Sequence, residues 1–432
     1  MRILSLVFCA AVTAAGTTPL IAQDTLGREP VSLLHVLDSV AARYPSLEAA
    51  RARIRAARGS RSTAGTLGNP ILMYQVDNQP LPGRAAPPMD REMMLTATLP
   101  LEPLYQRWSR VSGANAEIRA AEAAAQADRQ RIGLDATRAF YRMARAQVAL
   151  AAARDLTAWL DSVVAYNRTR VKEGVAAEAD LIRSELERDR AEADATMQEA
   201  DLARARADLS VFLGDEPVLF RVTAFDAPLA LPEVPLTSRA GTTRPDIRAA
   251  RERVDASGAG VTTERTNLIR QLGITVGTKR TAGTTSLIAG VSMPFPLFDQ
   301  NRGAIARAAA EREAATFDLA AQERIGRAEI VGAAESARLL TDRARVLAGP
   351  ARGQGYLARA DEARRIALGA YREGAVPLIQ VIDAARAWGE AQLVYYQILY
   401  AQHESVVQLL VAEGVDIAST LPTLTIGTGA RP

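Results

Sequence analysis

The feature that most constrains this chain is a helix break used twice. RVKEGVAAEADLI holds Glu173-Gly174 and YREGAVPLIQVID holds Glu373-Gly374 and Pro377, so the two breaks lie 200 residues apart. A glycine followed closely by a proline ends one helix and starts another. The same offset of 200 relates RYPSLEAARARI (43–54) to TRPDIRAARERV (243–254), which share Pro45/Pro245, Ala49/Ala249, Ala50/Ala250, Arg51/Arg251 and Arg53/Arg253. TLPLEPLYQ (98–106) and SMPFPLFDQ (292–300) are also alike, and each runs into a long helical stretch. Prolines and glycines at turning points are among the matches, so this is a true internal repeat. Each copy reads as helix, short apolar-polar segments, long helix, break, helix.

Composition decides how such helices pack. Aromatic residues make up only 5% of the chain, and alanine and arginine fill most segments. That is too little bulky material for several compact cores and fits long helices meeting through narrow seams. From Leu104 to Lys172 there is no proline, which allows a helix on the order of 100 Å long. Its counterpart runs from Gln300 to Arg372, with AGPARG (348–353) expected to kink or break it. Helices return over about 176–213 and 376–412, making each break the tip of a helical hairpin, far from the short apolar-polar segments of its copy. The segment 215–243, rich in proline and threonine, is expected to be an irregular linker, and 414–432 a tail that frays. The 52 basic and 49 acidic residues are interspersed, a solvated surface that argues against nucleic-acid binding.

Between first and long helix, each copy holds two candidate strands, about 70–78 and 93–100, then 272–279 and 285–293. Leu72, Tyr74 and Val76 alternate with Met73, Gln75 and Asp77, and the other strands alternate likewise. Period two of this kind suits either a soluble sheet or a membrane barrel with a wet lumen. Four strands cannot close a barrel, so the second option requires several copies of the chain. Met73, Met93, Met94 and Met293 lie in these strands; apolar packing competes there with soft-metal ligation and is the simpler account.

The N-terminal MRILSLVFCAAVTAAGTTPLIAQ is expected to be a secretory signal peptide over residues 1–22. Phe8 precedes Cys9, the single cysteine, where a lipoprotein signal would want a small residue. No later segment reaches eighteen uninterrupted apolar residues, so a return to the membrane would not use helices. Catalysis finds no footing: His35 and His403 are far apart, and no zinc-protease, phosphate-loop or nucleophile-elbow motif is present. No enzyme activity and no cofactor are expected.

RPDIRAAR, PFPLFDQNRG and YREGAVPLIQVIDAAR, set in paired repeats, resemble the TolC-type outer-membrane efflux proteins over about residues 32–413. Asn69-Pro70, a hairpin and then PLYQRWSR are most similar to the heavy-metal branch. The resemblance implies a mainly α fold with a transmembrane β-barrel contribution, in two repeats (32–214 and 244–413) of strand pairs and long helical hairpins. It implies a homotrimeric α/β tunnel in outer-membrane lipid, extending into the periplasm. Its tips, 173–176 and 373–377, would meet a periplasmic adaptor (membrane fusion) protein. An inner-membrane pump of the resistance-nodulation-division type would deliver the substrate, with heavy-metal cations the first expectation. Drug efflux, type I protein secretion and a periplasmic hairpin spacer remain alternatives.

In the family, acidic positions on the returning helix narrow the lumen. Here they fall on Gln380 and Asp383, with Asp180 as the first-copy partner, and Gln380 departs from the acidic pattern. Spacing puts Gln380 and Asp383 on one helical face, apart from the apolar stripe Leu378, Val381, Ala385 and Trp388. Asp383 is then either a plain solvated residue or one of three symmetry-related carboxylates that crowd the axis and bind cations. Gly174 and Gly374 serve the helix-ending conformation, with adaptor contact implied in addition. Glu173, Glu373 and Pro377 are docking residues or simple turn residues, and Tyr371 a seam residue or a cross-helix hydrogen-bonding group.

Overall fold

The computed structural model describes residues 30–80, 82–83, 89–214, 220–232, 244–268, 272–293, 295–350 and 353–420. The expected signal peptide with Cys9, both ends of the linker (215–219 and 233–243) and the tail beyond 420 lie outside the described residues.

Helices α1 (Leu33–Arg43) and α2 (Pro45–Gly65) precede strands β1 (Ile71–Asp77) and β2 (Glu92–Pro100). Then come α3 (Glu102–Lys172) and α4 (Glu178–Leu213). The second copy has α5 (Pro245–Thr266), β3 (Gly273–Thr281), β4 (Thr284–Ser292), α6 (Arg302–Ala348), α7 (Tyr356–Arg372) and α8 (Leu378–Ala412). Helix α3 runs 71 residues without interruption, about 105 Å at 1.5 Å per residue. Its counterpart is divided: Gly349 and Gly353 take positive φ of 80° and 84°, and the chain re-enters helix at Tyr356. A side chain is excluded at Gly355, where a Cβ would lie 2.5 Å from the Ala348 carbonyl oxygen.

The four strands make one antiparallel sheet in the order β1-β2-β3-β4. Pairing runs from Ile71 opposite Thr98, through Pro100 opposite Gly273, to Thr281 opposite Thr284. The last pair closes over Ala282-Gly283, whose φ values of 50° and 82° make a two-residue primed turn. Alternation splits the sheet into a more exposed face with Leu72, Tyr74, Leu95, Leu99, Leu287 and Val291, and a less exposed one with Thr96, Thr98, Thr275 and Lys279. Met73 and Met94 lie on the second face with Gln75, Asp77 and Thr98; Met93 lies on the first. Among the described residues nothing pairs with the outer edges of β1 and β4, so the sheet is open on both sides.

The main apolar core sits midway along α3, where Phe140, Met143 and Ala144 meet α1, α4, α8 and the linker. The linker is gripped there by side-chain amides acting as a strand partner would. Gln147 binds the Val222 backbone N–H and C=O at 2.8 and 3.1 Å, and Gln402 binds those of Leu229 at 3.0 and 2.9 Å. His403, packed among Tyr141, Phe225 and Tyr400, shares a hydrogen bond of 2.9 Å with the Ala227 carbonyl. Full burial favours the neutral ring and pushes its pKa down to about 4. An unfolded chain takes up that proton near pH 6.5, so the folded state loses stability as pH falls from about 6.5 to about 4. The loss is about 3 kcal/mol per chain and is absent above pH 7. Thermal unfolding of the wild type should show this acid-limb loss, and His403→Phe should flatten it.

Candidate functional site

The two hairpin turns are built alike. The Val175 N–H reaches the Arg170 carbonyl at 2.9 Å and the Gly174 N–H the Val171 carbonyl at 3.0 Å. At the second turn Ala375 bonds Ala370 at 2.8 Å and Gly374 bonds Tyr371 at 3.0 Å. This paired bonding needs a left-handed residue, and Gly174 and Gly374 supply it with φ of 72° and 75°. A third copy closes α8, where Glu413-Gly414 uses the same two bonds. Glu-Gly is therefore a general helix-ending device in this chain. The hairpins arise from the residues three positions past each glycine, Ala177 and Pro377, both extended and both capping a new helix. Glu173, Glu373 and Pro377 are exposed at these turns.

Just behind the turns the two hairpins are tied together. The Tyr371 hydroxyl donates to Asn167 Oδ1 at 2.6 Å, and both residues are buried. Arg170 lies 5.6 Å from the ring centres of both Tyr166 and Tyr371, and the Tyr166 hydroxyl donates to the Arg372 carbonyl at 3.4 Å. Burial pushes the Tyr371 phenol above its ordinary pKa; the Arg170 charge opposes this and the Asp180 carboxylate adds to it. Asp180 lies half-buried in the first turn of α4. The Asn167 amide nitrogen is buried with no hydrogen-bond partner among the described residues, so the tie is only half satisfied.

Further from the turns a second tie joins three helices. The Arg364 guanidinium on α7 sits 4.0 Å over the Trp388 ring of α8 and 5.5 Å from that of Trp159 on α3. It also pairs with Asp361 at 2.9 Å and Asp155 at 3.7 Å. A shielded cation on two indoles contributes on the order of 1–2 kcal/mol per ring.

The face of α8 opposite Leu378, Val381, Ala385 and Trp388 carries Gln380 and Asp383, both exposed. Within one chain neither side chain, nor that of Asp180, joins a hydrogen bond or ion pair among the described residues. The structure thus joins Tyr371 to Asn167 rather than to another of the expected site residues, and leaves Gln380 and Asp383 exposed. Sequence reasoning missed Asn167 and Arg364. At the repeat offset their counterparts would be Ala367 and Val164, so the repeat itself carries no signal for either. Among the described residues no cluster of histidine, cysteine or acidic side chains could hold a metal ion. No described helix is long and apolar enough to cross a membrane.

A family model described as outer membrane efflux protein matches residues 36–215 and 236–415, most of the chain in two segments that start 200 positions apart. Among solved structures, the outer-membrane channel OprN superposes with a TM-score of 0.75 at 20% identity, over 89% of this chain and 90% of that one. CusC, described for its folding and transmembrane channel formation, gives 0.74 at 16% identity, over 92% and 97%. The outer membrane protein VceC from Vibrio cholerae gives 0.71 at 19% identity, over 89% and 96%. No curated protein sequence matches the chain significantly.

Proposed function

The chain belongs to the outer membrane efflux protein family, and from that premise we propose that three copies form the outer-membrane duct of a tripartite pump. It conducts cargo passively, heavy-metal cations first among it, from a periplasmic adaptor and an inner-membrane pump of the resistance-nodulation-division type to the exterior. The observation that carries this reading is a four-stranded sheet open at both edges, joined to long helices of which α3 alone spans about 105 Å. Four strands leave unpaired edges that must be covered, and closing a barrel takes at least about eight. Three copies supply twelve, with β1 of one chain beside β4 of the next.

The tips close the duct at its periplasmic end. Asp383 and Gln380 face the axis, Asp180 lines the first hairpin, and the Tyr371–Asn167 bond holds the two hairpins of each chain in the closed arrangement. Its half-satisfied state makes it a bond that partner binding can break. Glu173, Gly174, Glu373, Gly374 and Pro377 form the surface the adaptor meets. Support for a cation path comes from the exposed Asp383 carboxylate, which lies on the face of α8 turned away from the chain's own apolar stripe.

Cysteine pairs introduced on β1 and β4, such as Tyr74→Cys with Leu287→Cys and neighbouring registers, test the assembly. Oxidation in outer membranes should yield covalent species that stop at three chains. A ladder that runs on, or no linkage in any register, would contradict the closed ring.

A further inference from the structure

The outward face of the sheet is too short for the membrane it has to cross. On β2 the apolar outward residues run from Met93 to Leu99, about 20 Å of strand at 3.4 Å per residue and about 15 Å of height at a tilt near 40°. A barrel needs an apolar band about 25 Å tall. At the hairpin end the band cannot be lengthened, because the outward face of β3 is already polar inside it: Thr278 and Arg280, both exposed, stand opposite Leu95 and Met93. At the opposite end, where strands pass into helices, stand some of the most exposed large apolar side chains. Trp108 is 76% exposed, Phe295 80% and Phe298 95%, with Leu104 and Leu297 beside them in sequence.

Resting on the outer-membrane reading, we infer that Leu104, Trp108, Phe295, Leu297 and Phe298 are lipid-facing and complete the apolar band. The periplasmic boundary of the bilayer then lies beyond the strand ends, at the first turns of α3 and just before α6. Trp108 sits six residues into α3, about 9 Å along its axis, which restores most of the missing height. Leu99 and Met293, 45% and 54% exposed, carry the outward alternation of β2 and β4 to the strand ends from which the patch starts. It also recurs at both strand-to-helix junctions, in LEPLYQRW and in FPLFDQNR. A belt around a ring needs the same chemistry at each such junction, whereas contact with the next copy joins unlike faces. Indole and phenyl side chains at this depth match the aromatic girdle of a barrel's interface.

Brominated lipid tests this directly, because Trp159 and Trp388 lie far away in the hairpins and Trp108 is the third of three tryptophans. The full chain is placed in phosphatidylcholine vesicles carrying bromine on the acyl chains. Wild-type emission should fall by roughly a third, the share of one interfacial indole, and Trp108→Phe should lose that response. Phe298→Trp in the Trp108→Phe background should restore it. Quenching of Trp108 by aqueous iodide in place of bromolipid would move the patch to water, and quenching by neither would place it against a second copy; both results overturn the inference. Ion flux through the same vesicles separates the two levels. Vesicles that conduct without bromolipid quenching sink this assignment alone, whereas vesicles with no inserted protein sink the channel reading.

Discussion

Alanine in place of Asp383 is expected to abolish block of the channel by multivalent cations added on the tip side. The exposed carboxylate lies on the side of α8 away from its apolar stripe, so its replacement removes charge without disturbing Val381 or Ile382, both fully buried. Three carboxylates around one axis attract a trivalent cation through nine unit-charge pairs, and even fully hydrated each is worth about 1 kcal/mol at 4 Å. Screening reduces this, but a loss of at least about a hundred-fold in blocking affinity remains. Gln380→Glu adds a second ring one turn away and should strengthen the block. Titration of single-channel current with hexamminecobalt reads both variants, and an unchanged affinity in Asp383→Ala would remove this residue from the axis.

Tyr371→Phe should raise the fraction of time the channel is open without altering the open-state current. The substitution keeps the ring, its packing on Tyr166 at 5.9 Å and its contact with Arg170. Only the hydroxyl is lost, leaving Asn167 Oδ1 buried and unpaired in addition to its nitrogen. A buried orphan acceptor costs about 1–3 kcal/mol, and the closed arrangement alone bears it, since opening exposes Asn167 to water. At about 2 kcal/mol the open-to-closed ratio shifts roughly thirty-fold per chain. The double variant Tyr371→Phe with Asn167→Leu, which removes the hydroxyl and both amide groups and so leaves no orphan, should shift it less. Equal effects of the two variants would show that packing, not the hydrogen bond, holds the tips.

These two residues show what a sequence does and does not disclose. The hairpin turns are legible because glycine at positive φ and proline at a helix start are local requirements, repeated at a fixed offset. The strands are legible through their alternation, and their observed bounds differ from the expected ones by no more than two residues. The open sheet is implied by a count of four strands. Asn167 is not legible: a lone asparagine in a helix acquires meaning only through Tyr371, 204 positions away. The same holds for Arg364 between two indoles and for Gln147 and Gln402 on the linker. Periodicity reports which face of a helix is buried, not which polar group crosses the seam. Glu-Gly teaches a narrower lesson, since its third use at Glu413-Gly414 ends a helix without making a hairpin tip.

The central claim is that this chain alone assembles into a duct held shut at its helical tips. Single-channel recording of the purified protein in planar bilayers tests it most directly. The account predicts a trimer that inserts from one side and gives small, cation-preferring currents, with long openings appearing in Tyr371→Phe. A protein that stays monomeric and never conducts, or a wide pore indifferent to Tyr371 and Asp383, would contradict it.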